Sequence, residues 1–331
     1  THGEDTTLKT ARLVDERIWK FVDMDEPVPR SGQMLVRLEQ VAVCGSDIPD
    51  YLGVHPGFPK PTGGTGHEGI GRVVSCPSGH YSEGERVLLW GFDRHHGLFQ
   101  ELVLTFDEGL LRLPGDARPE RVLMAQLLGT VLRPFRRLGN IINQRAVVIG
   151  LGPTGQLFTS VLRNLGARDI VGIDPLDWRR DMARQMGATQ VIDPGDVDPM
   201  EAVQELTGGA LADIVVEAVG DGSTYATAMA LSRRGGTVIG FGVPDKEVPD
   251  GVLDLPLMTM QRKEINLLMT VNAGANPYDD YAAALDWIVQ DRIDVQRLIT
   301  HILPFAQIQR AFELFADRPS AERPIKVVLQ Y

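Results

Sequence analysis

The chain has 331 residues, enough for two domains that each bury a core. Its formal net charge of −11 argues against a nucleic-acid surface, and no apolar run is long enough to span a bilayer. Two cysteines, Cys44 and Cys76, are too few for a disulfide framework. The polar start, Thr1-His-Gly-Glu-Asp, lacks a signal peptide's basic and apolar regions, so a cytoplasmic chain is expected.

Residues 1–140 read as β-rich. The alternation at 11–14 and 18–22 predicts a hairpin. Residues 33–43 predict a long strand with Met34, Val36 and Leu38 at alternate positions, and 69–74, 85–90 and 99–104 predict three more. Proline and glycine punctuate between them, at Pro56, Gly57, Pro59, Pro61, Gly63 and Gly64. Many short strands between turn signals imply a small barrel or rolled sheet. Residues 119–138 predict a helical connector.

From Arg145 the pattern changes to alternating strand and helix, and residues 141–275 read as a dinucleotide-binding domain. An apolar strand at 146–149 runs into Gly150, Gly152 and Gly155, spaced Gly-x-Gly-x-x-Gly, and an apolar helix follows. Gly150 permits the tight turn, Gly152 lets a pyrophosphate approach, and Gly155 lets helix pack on strand. Pro153 and Thr154 open the helix, whose N-terminal N–H groups suit phosphate. A second strand, 170–174, ends in Asp174, placed to accept both hydroxyls of an adenosine ribose. A carboxylate there repels a 2′-phosphate, which favours NAD over NADP; Arg179 and Arg180 stand close enough to moderate that preference. Strands at 190–193, 212–220, 236–243 and 264–271 complete about six, as a doubly wound parallel sheet requires. Gly220 and Val243, at the ends of two of these, join the predicted cofactor set. Met258, Met260 and Met269 are expected to fill core. Residues 276–331 add helices at 281–289 and 306–315 and a strand at 325–330, which implies a return to the first domain. The fold class expected is α/β: a doubly wound parallel Rossmann sheet plus a β-rich, barrel-like catalytic domain.

A second cluster precedes the glycine turn. Cys44-Gly-Ser-Asp47 follows the long strand, and Gly66-His-Glu-Gly69 comes later. Cys44, His67 and Glu68 offer thiolate, imidazole and carboxylate, a donor set suited to zinc. Singly, Cys44 reads as a small core residue and His67 as a hydrogen-bonded histidine; together they favour metal. Ser46 is placed to hydrogen-bond an alcohol oxygen and relay its proton, or, as a turn serine, to satisfy local backbone. Asp47 is expected to organise the site. His55, His95 and His96 read as exposed loop histidines.

These residues resemble the medium-chain dehydrogenase/reductase superfamily, and within it the zinc-dependent alcohol, polyol and sugar dehydrogenases. Four stretches carry the likeness in the family's order: Val43-Cys-Gly-Ser-Asp47, Gly66-His-Glu-Gly-Ile-Gly-Arg-Val-Val74, Gly84-Glu-Arg-Val87 and the Gly150–Gly155 fingerprint. The resemblance implies two domains and one catalytic zinc, with Cys44 and His67 as ligands. Glu68 matches a residue that ligates directly in some members and sits behind the metal in others. Aligning Leu123-Met-Ala-Gln-Leu onto the family's connector puts Gln126 at the remaining ligand position, as in the glucose dehydrogenase branch. Val271-Asn-Ala is similar to that branch's nicotinamide-side turn and adds Asn272 to the cofactor set.

Two departures stand out. The family's four-cysteine lobe is replaced by residues 90–97, which contain no cysteine, so no structural zinc is expected. Pro49 occupies the position of the usual proton-relaying histidine, which leaves Ser46, Tyr51, His55 or water as routes. The function implied is zinc-dependent hydride transfer between NAD and a secondary alcohol of a polyol, sugar or cyclitol. A metal-free enone or quinone reductase of the same fold and a non-catalytic NAD-binding protein are the alternatives. The implied partners are a small polyhydroxy molecule and further copies of the chain, as a homodimer or homotetramer joined near 237–243 and 265–271, with neither nucleic acid nor membrane.

Overall fold

The computed structural model describes residues 8–90, 97–244, 252–271, 277–317 and 321–331. Its first six strands are β1 (Leu8–Asp15), β2 (Ile18–Met24), β3 (Gln33–Ala42), β4 (Gly69–Ser75), β5 (Arg86–Leu89) and β6 (Leu102–Phe106). Six more follow: β7 (Arg145–Ile149), β8 (Asp169–Ile173), β9 (Gln190–Ile192), β10 (Ala212–Glu217), β11 (Ser232–Gly240) and β12 (Asn266–Met269). The last two are β13 (Ile299–Pro304) and β14 (Lys326–Gln330). The chain forms two units. One comprises Thr1–Gln126 with Ile299–Tyr331, and the other Leu127–Leu298. No helix among the described residues is long and apolar enough to cross a membrane.

The first unit is organised on β3. Its sheet runs β13-β14-β3-β4-β5, with β6 also on β3, and β1 and β2 form a separate antiparallel hairpin. Met34, Val36 and Leu38 face the core, as the alternation predicts. A register shift between Leu38 and Gln40 then switches the inward positions to Val41 and Val43. One extra residue reverses the faces of a strand, so the bulge keeps the apolar side inward up to Cys44. Opposite β3, Gly71 leaves room that a side chain would take: a Cβ there would lie 2.4 Å from the Arg37 carbonyl oxygen. The return segment closes this core. Phe312, on the helix Ile308–Ala316, packs at centroid distances of 4.9 Å on Trp19, 5.1 Å on Tyr51 and 5.5 Å on Phe99.

The second unit carries a six-stranded parallel sheet in the order β12-β11-β10-β7-β8-β9. The order reverses direction at the β7–β10 pair, which is the switch point of a doubly wound sheet. Val147, Ile149, Val171, Ile173, Val215 and Val238 fill its core. Helices end where glycine takes the left-handed backbone that other residues avoid, as at Gly187 after Asp177–Met186 and Gly208 after Pro199–Thr207.

Several elements differ from the sequence reading. The connector is two helices, Pro119–Leu123 and Ala125–Phe135, broken at Met124. The helix Tyr278–Val289 lies in the second unit, and the return begins at Ile299. Strand β13 and the helix Leu257–Lys263 had no clear periodic signal. Strand β6 starts at Leu102 because Phe99 and Gln100 are drawn to β1, where the Phe99 carbonyl accepts from the Ala11 N–H at 2.9 Å. Met258 and Met269 are exposed rather than core, while Met260 packs against the second unit's core.

Candidate functional site

The first cluster is built where β3 ends and β4 begins. Cys44 leaves β3 in extended conformation, and residues Gly45–Asp47 form a single 3-10 turn. The Asp47 carboxylate accepts the Cys44 N–H at 2.8 Å with one oxygen and the Thr65 hydroxyl at 2.6 Å with the other. It therefore ties the cysteine turn to the loop that carries His67. Asp47 is 1% exposed. Burial alone would raise its pKa, but the nearby His67 and the bonds from Thr65 and Cys44 outweigh that and hold it below the ordinary carboxylate value.

His67 Nδ1 lies 2.9 Å from the Thr65 carbonyl oxygen, which can only accept, so Nδ1 carries a proton and, in the neutral ring, the lone pair is on Nε2. Burial lowers the His67 pKa, but Cys44 and Asp47 beside it raise it well above the ordinary value. One donor atom each from Cys44, His67 and Glu68 lie within 4.8 Å of one another. Ser46 Oγ is 3.3 Å from His67 Nε2 and is exposed to solvent. Glu68 is 1% exposed, and its Oε1 makes no hydrogen bond. A soft sulfur, an imidazole nitrogen with its other nitrogen anchored, and a buried carboxylate oxygen without a donor fit a zinc ion. Gln126 is buried at the start of the helix Ala125–Phe135, in the same unit.

The sequence reading missed Lys326. This lysine is 1% exposed on β14, with its Nζ 2.7 Å from Glu68 Oε2 and 3.1 Å from the Val43 carbonyl oxygen. Burial lowers its pKa, but Glu68 and then Cys44 raise it above the ordinary value, so it stays an ammonium. The available signal was a single cation inside the apolar run Ile325-Lys-Val-Val-Leu, where an unpaired charge would be costly. Tyr51, one of the proposed proton routes, lies fully buried against Phe312, and its hydroxyl accepts from Gln309 Nε2 at 3.2 Å. His55 Nδ1 lies 3.5 Å from Asp50 Oδ1.

The second cluster is the glycine turn of the other unit. Gly150 has φ +85°, and a Cβ there would meet Val219 Cγ2 at 2.6 Å. A Cβ at Gly155 would lie 1.9 Å from the Gly150 carbonyl oxygen, so glycine is required where helix crosses strand. The space beside Gly152 is open; the nearest atom to a Cβ there is Arg179 Nη1, at 3.9 Å. Pro153 and Thr154 begin the helix Pro153–Asn164, and no side chain caps it. Asp174 is 3% exposed and accepts the Leu151 N–H at 2.8 Å and the Leu176 N–H at 2.9 Å. Its Oδ1 keeps a further lone pair. Arg179 Nη1 lies 3.5 Å from Asp174 Oδ2, and its buried Nε has no acceptor. Arg180 pairs with Asp193 at 2.8 Å and donates to the Asp174 carbonyl oxygen at 2.7 Å. An open glycine turn, an uncapped helix start and a buried arginine nitrogen without an acceptor fit a dinucleotide. Gly220 and Val243 lie in the turns after β10 and β11; Asn272, His95 and His96 lie outside the described residues.

The Glu68–Lys326 pair gives a direct test. Lys326→Met leaves a buried carboxylate without its cation and is expected to destabilise the metal-free protein by about 3–5 kcal/mol. Denaturant unfolding reads this as a lower midpoint, and Lys326→Arg should recover most of the loss. A Lys326→Met protein as stable as the parent would show that Glu68 needs no counter-ion.

The chain matches the alcohol dehydrogenase GroES-like domain over residues 30–115, within the first unit. It matches the zinc-binding dehydrogenase model over residues 153–290, within the second. An L-threonine 3-dehydrogenase of Caldanaerobacter subterraneus subsp. tengcongensis is 24% identical, over 87% of this chain and 90% of that protein. A D-xylulose reductase A of Aspergillus oryzae is 22% identical, over 92% and 93%. In structure, the fold is shared with a Sinorhizobium meliloti protein bound to NADP, with a TM-score of 0.85, 22% identity and coverage of 99% and 100%. Matched by both domain models in the order of its two units, the chain belongs to the medium-chain dehydrogenase/reductase superfamily.

Proposed function

We propose that the chain is a zinc- and NAD-dependent dehydrogenase that oxidises a secondary alcohol of a polyol, sugar or cyclitol. Oxidation at a CH–OH group is the broader statement its relatives support. The observation that carries the reading is the gathering of Cys44, His67 and Glu68 donor atoms within 4.8 Å, with the His67 tautomer fixed by Thr65. Gln126 completes the proposed ligand set as an oxygen donor. When bound, zinc supplies a Lewis acid that makes an alcohol easier to deprotonate, and NAD supplies the two-electron acceptor.

The chain's own residues do the rest. Asp47 keeps Cys44 and His67 in fixed relation. Lys326 occupies Glu68 Oε2 and leaves Oε1 as the donor. Ser46 takes the alcohol proton on its hydroxyl and releases its own to water, which its exposure permits. The helix start after Gly152 binds the pyrophosphate, and Asp174 takes the ribose hydroxyls. Preference for NAD over NADP rests on the Asp174 carboxylate, which would repel a 2′-phosphate. Arg179 and Arg180 face the carboxylates of Asp174 at 3.5 Å and Asp193 at 2.8 Å, which lessens what they could give a 2′-phosphate.

Cys44→Ser removes the sulfur ligand. It is expected to lose bound zinc, measured by metal analysis, and to lower turnover on a polyol and sugar panel by more than about 100-fold, read as NADH absorbance. The same panel with NADP should run more slowly than with NAD. Full activity after exhaustive chelation would contradict the reading and favour a metal-free reductase. Tight NAD binding without turnover on any alcohol would favour a non-catalytic role.

Association is proposed through the edge of the second unit's sheet. Strand β12 is an edge strand, and around it Met269, Val271, Leu257 and Met258 are exposed. An apolar sheet edge is a template for pairing with a second copy. Light scattering is expected to give at least a dimer's mass; a monomer's mass would contradict this interface.

A further inference from the structure

Glu217 ends β10, is 0% exposed, and takes no part in the chemistry above. Its Oε1 accepts three hydrogen bonds: from the Val219 N–H at 2.9 Å, the Gly220 N–H at 2.9 Å and the Thr224 hydroxyl at 2.8 Å. Its main-chain carbonyl accepts the N–H groups of Phe241 and Gly242, each at 3.0 Å. Its Oε2 makes no hydrogen bond. The neighbouring Tyr225 hydroxyl donates to the Gly242 carbonyl oxygen at 2.8 Å. One residue thus ties the turn after β10 to the turn after β11.

The two turns touch through backbone. A Cβ at Gly220, which has φ +90°, would lie 2.3 Å from the Val243 carbonyl oxygen. A Cβ at Gly242 would lie 2.1 Å from the Gly220 nitrogen and 2.5 Å from Glu217 Oε2. No side chain fits between them at these two glycines. An apolar residue in place of Glu217 would leave two buried N–H groups without acceptors, at roughly 1–3 kcal/mol each.

Topology says what these turns face. In a doubly wound sheet the dinucleotide lies across the carboxyl ends of the strands, on both sides of the switch point. Asp174 at the end of β8 marks the adenosine side, and the β7 turn marks the pyrophosphate. The ends of β10 and β11 lie on the other side of β7. We propose that Glu217 is a positioning residue for the nicotinamide half of the dinucleotide, holding turns 219–221 and 241–243 as one rigid floor. This rests on the dinucleotide-binding reading above.

The test compares NADH with ADP, which has the adenosine and pyrophosphate but neither the second ribose nor the ring. Dissociation constants for both are measured by calorimetry on the parent chain, Glu217→Leu and Thr224→Val. Glu217→Leu, which leaves the Val219 and Gly220 N–H groups without that acceptor, should weaken NADH binding by about tenfold or more while leaving ADP within about twofold. Thr224→Val, which removes one of the three donors, should shift the same ratio by less. Equal weakening of both ligands, or no change in either, would overturn the role of Glu217. If Glu217→Leu shows no cooperative melt, Thr224→Val decides alone, and an unchanged NADH-to-ADP ratio would overturn the proposal. A parent protein that binds neither ligand would overturn the dinucleotide reading itself.

Discussion

Two carboxylates, Asp47 and Glu68, are sealed away from water within one loop cluster, each 1% exposed. Burying a charge is costly unless it is hydrogen-bonded or paired, so the fold must answer each of them. Asp47 is answered locally, by the Cys44 N–H and the Thr65 hydroxyl. Glu68 is answered from the far end of the chain, by Lys326. Without that lysine the cluster would hold an uncompensated anion; with it, one carboxylate oxygen is paired and the other makes no hydrogen bond. The donor arrangement therefore follows from how the fold balances buried charge.

This explains why the chain comes back to its first unit after building the second. Strand β14 brings Lys326 alongside β3: the Val43 N–H donates to the Val327 carbonyl oxygen at 3.0 Å, and Val328, Leu329 and Gln330 pair with Ala42, Val41 and Gln40. The helix Ile308–Ala316 adds Phe312 to the aromatic group of Trp19, Tyr51 and Phe99. Core packing and charge balance use the same segment. Glu217 plays a comparable part in the second unit, where one buried acid joins two turns.

Much of this was legible because the signals are local. The glycine spacing after β7, the alternation along β3 and the Cys-Gly-Ser-Asp and Gly-His-Glu stretches each need only a few neighbouring residues to be read. The six-stranded parallel sheet followed from the strand–helix rhythm, while its order β12-β11-β10-β7-β8-β9 emerges only from the pairing. What escaped depends on partners distant in sequence. Lys326 and Glu217 looked like ordinary charged residues until the fold put Glu68 beside one and two turns beside the other. The break at Met124 and the helix Leu257–Lys263 carry no capping side chain to mark them. Met258 and Met269 look like core by composition; their exposure depends on which sheet edge remains open, and periodicity along one strand does not encode that.

The central claim is that Cys44, with His67 and oxygen donors, holds one divalent ion. X-ray absorption at the zinc edge of the purified protein tests it most directly. The account predicts one zinc per chain, with a single sulfur neighbour at about 2.3 Å and the remaining neighbours nitrogen or oxygen at about 2.0–2.2 Å. A shell with no sulfur, a shell with both cysteines, or a protein that takes up no stoichiometric metal would contradict it.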